Sequence, residues 1–320
     1  MNVAEMAEKN TILKIVTGSN LYGTNTPTSD QDFVGVFVAD LEYYLGFGKV
    51  NEVDLSKVSK LKNGKNAPDA IDCKLYEVRN FFDLAMKCNP NILEIVFAPE
   101  SCRIGWTRQG ELIFKMAKSF PYASGVYEKY KGYAKSQKHH MRSKPENQQK
   151  LQEFAKQAAL YIEHVPGSGK RLIAEFRTEL CDFMTFHSDH CQVGDLNFPL
   201  GRQLKAVLES VENRLENVSS RQELWEKHGY DTKFAMHLLR LLFEGEELLQ
   251  TGTIQFPLKQ AEFLKTVRAG ALTLEEVLDL AEHLEDRLFY AYTNTVLRKE
   301  PNYHYLQDQL MYIVRQFHKF

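Results

Sequence analysis

Two acids one residue apart, Asp30 and Asp32, follow a Gly18-Ser19 pair by a dozen positions. Paired carboxylates repel one another unless a cation sits between them, and their hard oxygens suit Mg²⁺. A glycine lets backbone approach a phosphate closely, so the amides there and the Ser19 hydroxyl can hold phosphate oxygens. These residue types point to metal-assisted phosphoryl chemistry.

The elements that must position them are legible on either side. Thr11-Ile12-Leu13-Lys14-Ile15-Val16 reads as a strand ending at Gly18-Ser19, and Gly18-Ser19-Asn20-Leu21-Tyr22-Gly23 as a tight glycine turn. A second strand begins at Ser29-Asp30-Gln31-Asp32 and runs through Phe33-Val34-Gly35-Val36-Phe37-Val38. Side chains alternate along a strand, so Asp30 and Asp32 share a face with Val34, Val36 and Val38. The two acids therefore converge at the exposed end of a buried strand. The competing reading is a turn pair that caps the strand after Pro27-Thr28-Ser29.

Two-metal transfer needs a third acid, since one ion activates the attacking hydroxyl while the other holds the triphosphate. Asp72 is the candidate, on the strand-like run Ala70-Ile71-Asp72-Cys73-Lys74-Leu75 ahead of a helix. Asp69 is the runner-up, though it follows Pro68 and suits a chain turn, while Asp54 and Asp40 have loop-like surroundings.

Gly-Ser followed by Asp-x-Asp resembles the DNA polymerase β-type nucleotidyltransferase superfamily, and within it the RNA-repair-associated predicted nucleotidyltransferase family. The likeness rests on Gly18 to Gly23, Ser29 to Asp32 with Gly35-Val36, and Asp72 ahead of Tyr76-Glu77-Val78-Arg79-Asn80-Phe81. It continues through Asn89-Pro90-Asn91-Ile92-Leu93-Glu94 and Lys233-Phe234-Ala235-Met236-His237-Leu238-Leu239-Arg240-Leu241. Asn20 departs from it, standing where many relatives carry His. The resemblance also puts the third acid at Asp72. Asp30, Asp32 and Asp72 are thus the expected catalytic and metal ligands of a two-metal Mg²⁺ site, with Gly18 and Ser19 on the β- and γ-phosphates of a nucleoside triphosphate, ATP among them. The expected reaction is template-independent transfer of a nucleoside monophosphate to a hydroxyl of an RNA end, with tRNA a reasonable acceptor, and release of pyrophosphate. The same core serves protein and small-molecule acceptors elsewhere, and a non-catalytic module that binds nucleotide or RNA is the contrasting class.

The downstream chain offers two contributors. Glu128 to Lys144 holds six Lys or Arg and one acid, interleaved with Tyr130 and Tyr133. Cations neutralise phosphates and tyrosines stack on unpaired bases, so Lys131, Tyr133, Lys135, Lys138 and Arg142 are the candidate RNA contacts, against the alternative of a solvated helix face. Further on, Lys233, His237 and Arg240 fall on one helical face opposite Phe234, Leu238, Leu241 and Leu242. That face is expected to close over the triphosphate or base, against the alternative of an ordinary basic exposed surface.

Composition sets the frame: 320 residues, 43% hydrophobic, net charge −2. That charge argues against a generally basic nucleic-acid binder, so any RNA contact is a local patch. No apolar run suits a membrane span, Met1-Asn2-Val3-Ala4-Glu5 shows no signal-peptide character, and a cytoplasmic chain is expected. Cys73, Cys88, Cys102, Cys181 and Cys191 are odd in number and scattered, which favours reduced thiols. The hydrophobic period divides the chain into an α+β nucleotidyltransferase domain, residues 1–108, and an all-α helical domain, residues 109–320, for nucleotide and acceptor binding. A helix is expected over 76–87, with Val78, Phe81, Phe82 and Ala85 on one face. Others are expected over 110–118, 122–142, 146–164, 170–187, 201–216, 231–250, 259–268, 273–297 and 302–318. Asn51 to Pro68, with Lys57, Lys60, Lys62 and Lys65, reads as a mobile loop over the strand edge.

Two tempting signals lead elsewhere. Gly167-Ser168-Gly169-Lys170-Arg171 looks like the end of a phosphate-binding loop, but no strand precedes it and Arg171 takes the Ser/Thr place. His187-Ser188-Asp189-His190-Cys191 cannot aim every side chain at one tetrahedral centre, and it reads as a polar loop.

Overall fold

The computed structural model of the protein describes residues 2–27, 29–57, 71–141, 145–180, 182–219 and 227–320. The chain packs as two compact units, one of residues 1–138 with 232–320 and one of residues 139–231. The first unit opens with α1 (Val3–Lys9), β1 (Thr11–Thr17), the five-residue α2 (Gly18–Tyr22), β2 (Gln31–Phe37), α3 (Glu42–Leu45), β3 (Glu52–Asp54) and β4 (Ile71–Glu77). It continues with α4 (Val78–Met86), α5 (Pro90–Val96), β5 (Arg103–Trp106), α6 (Arg108–Lys115) and α7 (Ala123–Met141), whose last three residues are counted with the second unit.

The strands form one sheet in the order β3-β4-β2-β1-β5, with β2 parallel to β4 and antiparallel to β1. Burial along β2 rises from the exposed Gln31 to the buried Gly35, Val36 and Phe37. Behind the sheet, Phe37, Cys73 and Leu75 pack with Met6 and Ala7 of α1. The middle of the sheet is thus roofed by apolar side chains, while the beginnings of β2 and β4 stay accessible. The expected α4 forms with Val78, Phe81, Phe82 and Ala85 buried, and the Glu77 carboxylate accepts from the amides of Arg79 and Asn80 at its start. Pro90 opens α5 with Asn89 as its cap. The loop expected over 51–68 holds β3, and Lys57 bridges to Ile71; residues 58–70 lie outside the described residues.

The second unit contains α8 (Pro145–His164), β6 (Thr185–Phe186), β7 (His190–Val193), β8 (Leu196–Pro199) and α9 (Leu204–Ser219). Leu151, Phe154 and Ala158 of α8 meet Val207 and Val211 of α9 around Ile173, Phe176, Cys191 and Phe198. The helix expected over 170–187 gives way to short 3-10 turns at Ser168–Lys170 and Ile173–Phe176 and then to this small antiparallel sheet. Strands of two to four residues are too short to show a period of two, and their turn is marked only by Gly194 at φ +57°.

The remaining helices, α10 (Thr232–Thr251), α11 (Ala261–Arg268), α12 (Leu274–Thr293) and α13 (Tyr303–His318), return to the first unit. His318 Nε2 lies 3.0 Å from the Ala39 carbonyl, its ring against Tyr44, and Arg240 of α10 pairs with Glu94 of α5. The boundary expected between residues 108 and 109 therefore falls inside this unit. Periodicity shows where helices lie in the chain; it does not say which surface each one covers.

Candidate active site

Two neighbouring strands carry the acids, beside the end of a third. Thr17, at the end of β1, stands opposite Asp32 in the antiparallel ladder, and Asp32 stands opposite Asp72 in the parallel one. Asp30 lies just before β2, where its carbonyl accepts from Asn20 Nδ2 at 3.3 Å. Gly18 has φ +63°, and a Cβ built on it would lie 2.0 Å from Asp32 Oδ2. Only glycine lets the turn run this close to the carboxylate.

The charges feel one another. The Asp32 carboxyl is pushed up to about 6, first by burial, then by the negative charges of Asp30 and Asp72, while Lys233 pulls the other way. Lys233, far downstream in sequence, is thus near enough for its charge to act on Asp32. Among the described residues, no group of three or more His, Cys, Asp or Glu side chains is drawn in to metal-ligand spacing. The donor set still fits a hard divalent cation: Asp32 and Asp72 are ladder partners, Asp30 precedes Asp32 by two residues, and such an ion would relieve the mutual repulsion of their carboxylates.

Asp72 has a partner that the sequence did not announce. Ser56 Oγ donates to Asp72 Oδ1 at 3.0 Å and accepts from the Cys73 amide at 3.1 Å. The one available signal was the Asp54-Leu55-Ser56 spacing, which forms an Asx turn with Ser56 N on Asp54 Oδ1 at 2.8 Å. Asp40 accepts from Asn10 Nδ2 at 2.9 Å, and Asp69 lies outside the described residues.

On α10 the expected basic face divides. Lys233 is exposed and His237 half-buried, but Arg240 is only 4% exposed. Its guanidinium donates to Glu94 Oε1, donates to Glu244 Oε1 at 2.8 Å, and sits 4.2 Å from the centre of the Tyr22 ring. The Tyr22 hydroxyl donates to Glu94 Oε2 at 2.6 Å. Arg240 is thus a buried ion-pair residue, not a nucleotide contact, because its part of the helix face is covered by Tyr22 and Glu94. Burial pushes the Glu244 carboxyl up, Glu94 adds to this and Arg240 opposes it. Sequence reasoning missed the Tyr22, Glu94 and Glu244 side of this cluster.

The candidate RNA contacts on α7 also divide. Tyr133 accepts from Asn89 Nδ2 at 3.1 Å and lines a groove of about 370 Å³ with Glu128, Lys129, Gly132 and Ser136. Lys131 instead donates to the Tyr127 hydroxyl at 2.9 Å, Lys138 pairs with Glu285 at 3.6 Å, and Lys135 is exposed. Tyr130 is completely buried and unable to stack on a base. Arg142 lies outside the described residues.

A family model for the RNA repair pathway DNA polymerase beta family, RlaP, matches residues 1–186. The chain belongs to this family. It is accordingly a polymerase β-like nucleotidyltransferase. An uncharacterized 38.9 kDa protein in the nrdC-mobD intergenic region of Enterobacteria phage T4 is 27% identical over 309 residues, covering 88% of this chain and 90% of its own. A crystal structure of a nucleotidyltransferase-like protein from Exiguobacterium sibiricum 255-15 aligns with 98% of this chain and 74% of its own, at 11% identity and a TM-score of 0.26, a likeness too slight to bear on the site.

Proposed function

We propose that the chain transfers a nucleoside monophosphate from a nucleoside triphosphate to a hydroxyl at an RNA end, without a template, in a Mg²⁺-dependent reaction that releases pyrophosphate. The observation that carries this reading is the register of Asp32 with Asp72, beside Asp30 and under the glycine turn. Asp30 and Asp32 would hold the ion on the triphosphate, and Asp72 the ion on the acceptor side. Bound there, the two ions would neutralise phosphate charge and lower the pKa of the acceptor hydroxyl.

Gly18 and Ser19 hold the β- and γ-phosphates by backbone amides and hydroxyl, and Lys233 adds a positive charge that acts on Asp32. His237, one turn further along α10, lies on the nucleotide side. The acceptor oxygen attacks the α-phosphorus in line, and pyrophosphate leaves on the opposite side. Positioning and charge stabilisation supply most of the rate, as is general for phosphoryl transfer. The chemistry belongs to the sheet region within residues 1–108, and further substrate contacts come from the helices beyond. Lys135 and Tyr133 are the α7 side chains best placed to meet RNA. Free Cys73, Cys88, Cys102 and Cys191 suit a cytoplasmic setting.

The test is incubation with Mg²⁺, each α-labelled nucleoside triphosphate in turn, ATP first, and a mixed tRNA pool. Label in RNA supports the reading and reports the preferred base. Pyrophosphate release that needs a cell extract, with no label in RNA, would move the acceptor to a protein or metabolite.

A further inference from the structure

Three of the segments that carry the family resemblance outside the acids lie far apart in sequence and share one buried cluster. Tyr22 ends the glycine-turn helix, Glu94 closes the Asn89 to Glu94 run, and Arg240 lies in the Lys233 to Leu241 run. We infer that the Tyr22–Glu94–Arg240 cluster is a positioning device, which fixes the Gly18-Ser19 turn relative to the Lys233 end of α10 and so shapes the triphosphate site between them. This rests on the nucleotide-binding reading above.

The geometry is directional. Glu94 takes the Tyr22 hydroxyl on one carboxylate oxygen and Arg240 on the other, and the same guanidinium lies against the face of the Tyr22 ring. Charge-assisted hydrogen bonds and a ring contact fix angle as well as distance, which apolar packing does less sharply. Tyr22 is four residues after Gly18, at the other end of a five-residue helix, so a tilt at Tyr22 is passed to the turn. Arg240 is seven residues beyond Lys233 on one continuous helix, about 10 Å along its axis. A tilt at Arg240 is therefore passed along the helix to Lys233.

The cluster is a poor choice for stability alone. Tyr22, Glu94, Arg240 and Glu244 are all buried, and two carboxylates face a single guanidinium. A buried ion pair is often no more stabilising than apolar residues of the same volume. What it supplies here is a fixed relation among α2, α5 and α10.

The test is Tyr22→Phe, which removes one hydroxyl and keeps the ring beneath Arg240. A folded variant is expected to show KM for the nucleoside triphosphate raised about tenfold with kcat within about twofold of wild type, since a misplaced binding turn costs binding before chemistry. Glu94→Gln, which keeps volume and weakens both contacts, should show the same split and replaces the first variant should that not fold. KM unchanged in a folded variant, with only the melting temperature lowered, would overturn the inference; so would loss of the fold in both variants, which assigns the cluster to stability alone. Transfer by the wild-type chain, abolished in Asp30→Asn/Asp32→Asn, must be seen in the same assay. Its absence would overturn the reading of transfer to RNA, and the inference that rests on it.

Discussion

Asp32 on β2 and Asp72 on β4 are direct partners in a parallel ladder, so their carboxylates leave the sheet on the same face, one strand apart. Adjacent strands are about 4.8 Å apart, close enough for each charge to oppose ionisation of the other.

One consequence is a pH-dependent cost in the metal-free protein. The Asp32 carboxyl titrates near 6 in the folded chain against 3.8 for an ordinary Asp, so between these values the folded state holds a proton that the unfolded state has released. Stability contributed by this group therefore falls as pH rises from about 4 to about 6, and the penalty persists above. Discounted for a carboxyl still partly open to water, it is about 1 kcal/mol. In chelator, Asp32→Asn should raise the melting temperature at pH 7.5 and leave it unchanged near pH 4. An equal effect at both pH values would count against the charge coupling.

A divalent cation should remove the same penalty. Mg²⁺ or Mn²⁺ at ten times its dissociation constant is expected to stabilise the wild type by about 1.4 kcal/mol, read as a melting-temperature shift. Asp30→Asn/Asp32→Asn should show no such shift. A similar shift in both would place the ion elsewhere.

Gly18→Ala puts a methyl group into the space of the Asp32 carboxylate and forces a left-handed backbone onto alanine. The backbone term alone is about 1–2 kcal/mol. Transfer should fall more than stability does, because the acid itself must move. An alanine variant with wild-type turnover would show that Asp32 can shift without consequence.

Arg240→Ala leaves Glu94 and Glu244 buried without their cation, and should cost about 3–5 kcal/mol in urea unfolding. Adding Glu94→Gln and Glu244→Gln should restore much of it. An Arg240→Ala chain as stable as wild type would contradict the ion-pair assignment.

Much of the fold could be read from the sequence where the pattern was long or the residues unusual. The glycine that ends β1, the strands that carry Asp32 and Asp72 and the face of α4 were legible, since special backbone geometry and repeated apolar spacing leave local marks; the run from Gly18 to Gly23, expected as a tight turn, forms the short helix α2. Arg240 was misplaced because a helical face tells which residues align, not how far along it the neighbouring elements reach. Tyr22 and Glu94 passed as family residues without a role, since contacts to Arg240 from so far away, 146 positions in the case of Glu94, have no local signature. Ser56 was hidden for a similar reason, being an ordinary loop serine until β3 and β4 pair around it. The sheet at Thr185 to Pro199 was missed because its strands are too short to show their period.

The most direct test of the acids compares wild type, Asp72→Asn and Asp30→Asn/Asp32→Asn in transfer of α-labelled nucleotide to RNA, with circular dichroism confirming each fold. The predicted result is folded variants that have lost transfer on the order of 10²-fold or more, the scale of removing one electrostatic stabiliser. Undiminished turnover by either folded variant would contradict the assignment of these three carboxylates as the catalytic centre.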